Sequence, residues 1–153
     1  CAALQQGGPL LDDCLSGTLS CGDTVIGHTR GGTRRYDSDY YKRNFCTPDT
    51  SNHDGGDERI YRLDMPAGDR RAFVTLDSPC ADLDVSAMLW NDDTCPLPAH
   101  SLPRCEMWPK DGTKRETLEL VSQKATSWWI VVEGKDAEEG AFALSVQCKD
   151  GLH

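Results

Sequence analysis

Apolar and polar residues alternate along much of this chain with a period of two. Tyr61, Leu63 and Met65 fall on one face of a segment, with Arg62 and Asp64 on the other. Ala72, Val74 and Leu76 alternate with Phe73, Thr75 and Asp77, and Leu83, Val85, Ala87 and Leu89 with Asp84, Ser86, Met88 and Trp90. Leu118 and Leu120 follow, then Phe142, Leu144, Val146 and Cys148. Such alternation predicts half-buried strands. Residues 24–29 predict another. Residues 128–132 are apolar on both faces, as in a central strand; one of Trp128 and Trp129 is expected in the core, the other outward or against a sheet edge. About seven to eight strands, divided by Gly, Pro and Asp, predict an all-β fold: a jelly-roll-like sandwich of two antiparallel sheets. No amphipathic helix is evident. Short helical turns fit residues 10–15 and 37–42.

Two connections are long, residues 30–57 and 91–114. Loops of this length are usually functional or stapled. The eight cysteines bear on this: Cys46 lies in the first loop, Cys95 and Cys105 in the second. No CxxC pair occurs, so zinc and thioredoxin-like motifs lack support. Disulfides are the natural reading, and they place the chain outside the cytoplasm. A local Cys95–Cys105 bridge is expected, with Cys21–Cys148 joining the two ends of the fold.

The chain begins Cys1-Ala2-Ala3 without an initiator Met, and Gln5-Gln6-Gly7-Gly8-Pro9 reads as a flexible leash. A mature bacterial lipoprotein starts this way, so the reading favours lipidation at Cys1. The alternatives are a Cys1 disulfide, which would use all eight cysteines, and a plain cut in a longer chain. The expected organisation is a tether and lead-in at 1–20, a sandwich at 21–148 and a tail at 149–153.

The formal charge of −9 repels phosphate backbones and argues against nucleic acid. No apolar run approaches the ~18 residues of a membrane span. The four histidines, His28, His53, His100 and His153, sit in no HExxH context, and no GxSxG occurs. The expectation is therefore no enzyme, an unrecognised hydrolase or inhibitor being the residual alternative. No cofactor is required. Calcium is the one the acidic loops suggest, because it takes several carboxylate oxygens from a flexible loop. The candidate ligands are Asp54, Asp57, Glu58, Asp82 and Asp84. Trp90, Trp108, Trp128 and Trp129 raise the question of sugar stacking, with Trp90 and Trp108 the better placed.

The order of several motifs resembles a known family. Residues 21–29 (Cys-Gly-Asp-Thr-Val-Ile-Gly-His-Thr) come first, then Asp57 to Leu63, Asp82-Leu83-Asp84-Val85, Cys95 and Cys105. Trp129-Ile130-Val131-Val132-Glu133-Gly134 and the Gly140 to Cys148 run close the series. Over residues 21–148 this is similar to the bacterial pre-peptidase C-terminal (PPC-like) domains, particularly the cysteine-bearing versions of myxobacterial envelope proteins. The resemblance implies an accessory β-sandwich of a secreted protein. Relatives bind calcium, collagen or polysaccharide, or assist secretion and stability. The reading takes the module as the whole mature chain, an expectation that puts a role beside a protease in doubt. The expected function is a non-enzymatic extracytoplasmic binding or structural module. It would be a lipoprotein subunit in the periplasm or at the outer membrane, held by a lipid on Cys1 and contacting an envelope protein or larger complex. A carbohydrate-binding accessory domain, calcium-dependent or not, is the rival. The expected contact surface is the 91–114 loop, with Trp90, Met107 and Trp108 as anchors.

Overall fold

The alternating segments pair into two sheets laid face to face. The computed structural model describes residues 7–46, 54–107 and 115–152. Among them are nine strands: β1 (Leu15–Leu19), β2 (Thr24–His28), β3 (Glu58–Met65), β4 (Arg70–Asp77), β5 (Leu83–Leu89), β6 (Arg104–Met107), β7 (Glu116–Ser122), β8 (Thr126–Gly134) and β9 (Ala141–Asp150). One α-helix, α1 (Ser38–Arg43), and a short 3-10 turn at Lys135–Ala137 join them. The five-stranded sheet has the order β1-β3-β8-β5-β6 and the four-stranded sheet β2-β9-β4-β7. All pairings are antiparallel except β1 with β3, which is parallel. That pairing departs from the purely antiparallel expectation.

The main core lies between the sheets and takes the inward set of each strand: Leu63 and Met65, Val74 and Leu76, Val85 and Ala87, Trp128, Ile130 and Val132, Leu144 and Val146. Burying these alternating faces drives the two layers together. β8 is central, as its continuous apolar run requires. Trp128 enters this core and donates its indole N–H to Ser122 Oγ at 3.1 Å.

A second apolar cluster sits on the opposite face of the five-stranded sheet, where Ile60, Met88, Trp129 and Val131 meet Tyr36, Tyr40, Tyr41 and Leu15. Trp129 is therefore fully buried as well. The sequence expectation of one outward-facing tryptophan fails because residues 33–46 fold down over that face as a cap.

Residues 7–20 belong to the fold rather than to a tether. β1 extends the five-stranded sheet, and Gly7 N–H donates to the Arg30 carbonyl at 3.1 Å. Leu15-Ser16-Gly17-Thr18-Leu19 is too short and too polar for its alternation to register. Residues 10–15 form no helical turn; a tight reversal bridges Asp12 to Leu15. At the other end β9 runs past Cys148 to Asp150, and Gly151 N–H donates to the Asp69 carbonyl at 2.7 Å.

Candidate functional site

The cap is built around α1. Asp37 caps its N-terminus, accepting from Tyr40 N–H at 2.8 Å, so the turn suspected at 37–42 is a true helix of Ser38–Arg43. Its C-terminus closes with two reversed bonds, Cys46 N–H to the Tyr41 carbonyl at 2.8 Å and Phe45 N–H to the Lys42 carbonyl at 3.1 Å. This is the Schellman arrangement, whose left-handed slot normally holds glycine. Here Phe45 fills it at φ 58°, with 89% of the residue exposed.

Aromatic packing and two disulfides hold the cap down. Tyr36 stacks on Tyr40 with ring centroids 4.6 Å apart, and Tyr40 meets Tyr41 edge-on at 5.9 Å. The Trp129 indole N–H donates to the Trp90 carbonyl at 2.8 Å, and the Arg62 guanidinium covers the Trp129 ring from 5.4 Å. Cys14 is bridged to Cys95 and Cys46 to Cys105. The expected Cys95–Cys105 bridge does not form. Residues 104–107 are an edge strand, with Cys105 opposite Met88, so Cys105 faces the end of α1 instead of the loop that carries Cys95. The third bridge joins Cys21 to Cys148, the pairing the sequence favoured, and clasps β2's approach to β9. Cys80 is disulfide-bonded too. The lipidation reading of Cys1 falls outside the described residues.

The 91–107 connection braces the cap. Tyr36 Oη donates to the Pro96 carbonyl at 2.5 Å, Arg43 Nη2 to the Pro98 carbonyl at 3.1 Å, and Leu102 N–H to Asn44 Oδ1 at 2.8 Å. Leu97, 51% exposed, stands on this connection. The described parts of the two long loops thus form one stapled unit.

Beneath the cap lie three buried carboxyl groups. Glu58 accepts at Oε1 from Arg35 N–H and Tyr36 N–H, both at 2.8 Å. Glu133 Oε2 accepts from Tyr41 Oη at 2.5 Å. Asp84 sits beside them on β5. Burial pushes the Glu58 carboxyl well above its ordinary range, against the pull of the Tyr36 and Arg35 N–H groups. Burial, then the neighbouring Glu58 charge, raises Glu133 as well. Burial also drives the Tyr41 phenol upward, with Glu133 adding to the effect.

The proposed calcium ligands have structural duties. Asp54 Oδ1 accepts from Ser38 N–H at 2.8 Å, and Asp57 accepts from Gly31 N–H at 2.9 Å and Arg34 Nε at 2.6 Å. Burial raises Asp57, but its bonds to Arg34 and Gly31 win and hold it low. Glu58 and Asp84 come together under the cap; Asp82 lies just before β5. Among the described residues no group of three or more His, Cys, Asp or Glu side chains is arranged to hold a metal ion.

Two of the three proposed anchors, Trp90 and Met107, lie among the described residues. Trp90 stacks on His100, centroids 4.8 Å apart, and packs half-buried against the second cluster. Met107 ends β6 opposite Ser86, half-buried. Trp108 lies outside the described residues. His28 and His100 each use Nδ1 to accept a backbone N–H, from Arg30 at 3.0 Å and Leu97 at 3.1 Å. Burial, then the Arg30 charge, lowers the His28 pKa.

Arg59 escaped sequence reasoning. Only 2% exposed, it donates to the carbonyls of His28 (2.9 Å), Gly8 (2.8 Å) and Arg30 (2.6 Å), and to Ser16 Oγ at 3.3 Å. It pins the N-terminal segment to the end of β2. An arginine in an inward strand position is the signal that could have exposed it. No helix among the described residues is long and apolar enough to cross a membrane.

The sequence matches no known protein family and no curated protein. The fold does have a solved relative, the pre-peptidase C-terminal domain of a collagenase from Bacillus anthracis. It is similar over 89% of this chain and 99% of that one, with a TM-score of 0.53 and 9% identity. At that identity the likeness speaks for architecture alone: this chain has the two-sheet sandwich fold of a pre-peptidase C-terminal domain.

Proposed function

We propose that this chain is a non-enzymatic, extracytoplasmic binding module that contacts another protein through its stapled cap. The observation that carries the reading is Phe45. A bulky side chain in a left-handed slot costs roughly 1 kcal/mol relative to glycine, and this one gains almost no burial in return. Strain kept at an exposed aromatic is the mark of a side chain retained for contact. Leu97 extends the apolar surface from the neighbouring connection. The disulfides fix the cap's shape before any partner arrives, which lowers the ordering cost of binding. They also fit an oxidising compartment. A fold shared with an accessory domain of a collagenase agrees with a supporting role. Of the tryptophans that suggested sugar stacking, Trp128 and Trp129 are buried and Trp90 is stacked on His100, which favours the protein-contact reading.

The test is site-specific photocrosslinking in the cells that make the protein. A photoreactive residue at Phe45 should yield one adduct of defined mass, and the same group at Thr117, exposed on the other sheet, should not. Equal labelling from both positions, or none from Phe45, would remove the cap from the function.

A further inference from the structure

Glu58, Glu133 and Asp84 stand directly opposite one another on three adjacent strands. Glu58 faces Glu133 across β3 and β8, and Asp84 faces Glu133 across β8 and β5. Opposed residues project to the same side of a sheet at ~4.5–5.5 Å between Cβ atoms. Here that side is under the cap, where the three residues are 0%, 3% and 2% exposed. Three carboxylates cannot all be ionised at such spacing away from water. The Glu133 Oε1 atom is itself buried with no hydrogen-bond partner among the described residues, so the charged form is poorly served at this atom.

Two members of the row hold the cap. Glu58 grips the strand-like segment before α1 through the Arg35 and Tyr36 N–H groups, and Glu133 grips α1 through Tyr41. The charged and titratable groups that face the row are Tyr41, Tyr40 and Tyr36 from the cap, Arg35 beside Glu58, and Asp54 from the preceding connection. Arg35 turns its Nη2 to Asp13 at 2.9 Å, so part of its charge is already shared.

We propose that the Glu58–Glu133 pair, with Asp84 beside it, is a proton-operated latch for the cap, closed while the pair holds a proton and loosened when it ionises. Loss of a proton sets like charges opposite each other. They separate most readily by moving towards water, and the pieces of cap bound to them move too. The Cys46–Cys105 bridge holds the far end of α1, so the cap swings about that end rather than detaching.

Hydrogen exchange on the full, disulfide-intact chain tests this, with rates corrected for intrinsic exchange from about pH 5 to about pH 9. Protection of the Arg35, Tyr36 and Tyr41 amides should fall about tenfold or more across that range, while β9 amides keep theirs. Glu133→Gln keeps the shape and a partner for Tyr41 but cannot ionise, so it should flatten the profile. Asp84→Asn removes one of the facing charges that raise Glu133, so it should make the decline smaller and end it at lower pH, and it decides the matter alone if the first variant does not fold. Cap protection that stays flat in the wild type, or a wild-type decline preserved in the folded variants, would overturn the latch.

Discussion

Cys105 reaches from the edge strand β6 to Cys46 at the end of α1, their Cα atoms 5.1 Å apart across 59 residues of sequence. An edge strand and a six-residue helix are both weak elements alone, and the bridge makes each the support of the other. A loop of that length gives a chain-entropy contribution of about 4 kcal/mol. The Cys46→Ser/Cys105→Ser protein should unfold at lower denaturant by roughly that amount. Its Trp129 fluorescence should shift as water reaches the face beneath the cap. Denaturation curves that superimpose on the wild type would show that the bridge is incidental.

Cysteine parity bears on the N-terminus. The three described bridges use six of the eight cysteines, no described cysteine is free, and Cys80 is bonded. Among the cysteines of this sequence, Cys1 is the partner we predict for Cys80. Peptide mapping without reduction should recover the Cys80 peptide joined to the N-terminal one. A diacylglyceryl thioether on Cys1 would refute the pairing and support the lipoprotein reading.

The sandwich was legible because each core strand buries one alternating face, and alternation survives in sequence. The cap was not, because its residues serve tertiary needs that have no period. Tyr40 and Tyr41 fall in the short helical turn expected at 37–42, yet they and Tyr36 are buried. Trp129 and Val131 hinted at a second covered face, since a sheet face open to water would not carry them. The Cys95–Cys105 expectation assumed that a loop closes on itself; β6 turned part of that loop into sheet and redirected its cysteine. Glu58 looked like a surface ligand because sequence cannot show that the chain folds back over it.

Stability should depend on pH in a direction unusual for an acidic protein. A carboxyl whose folded pKa lies above its unfolded value stabilises the fold fully only below the unfolded value. That contribution disappears as pH rises through the folded pKa. Glu58 and Glu133 are both raised by burial. Asp57 and Asp64 act oppositely: burial raises each, but the Arg34 and Gly31 bonds of the first, and the Ser127 and Arg62 bonds of the second, bring them below the usual range. Their contribution is lost as the solution becomes strongly acidic. Maximum stability is therefore expected in mildly acidic solution, about pH 5, with a decline towards about pH 9. Urea titrations at several pH values measure it; a maximum at alkaline pH would contradict the buried row.

Gly32 should tolerate no side chain. A Cβ there would run into the Glu58 backbone carbonyl, the same group that accepts from Thr33 N–H at 3.0 Å. Gly32→Ala should cost about 1–3 kcal/mol by overpacking and loosen the segment that Glu58 holds. Gly8, with open space where its Cβ would stand, is the control, and Gly8→Ala should be nearly neutral. Equal stabilities for the two variants would mean that the backbone at Gly32 yields freely.

Phe45 separates stability from function in a single substitution. It occupies the glycine slot of the α1 terminus at φ 58° and is 89% exposed. Glycine adopts that conformation without steric cost, and the two terminal bonds through the Phe45 and Cys46 N–H groups need no side chain. Glycine also has more freedom to lose on folding, so the two effects partly cancel. Phe45→Gly is therefore expected to leave stability unchanged or raise it by up to about 1 kcal/mol. A residue kept only for folding would show the reverse. If the cap is the contact surface, the same variant should weaken capture by the crosslinked partner by about tenfold or more, as hot-spot aromatics do. Leu97→Ala, on the adjoining connection, should give a smaller loss. A Phe45→Gly protein that unfolds more easily yet binds its partner as well as the wild type would assign Phe45 to the fold and take the cap's aromatic out of recognition.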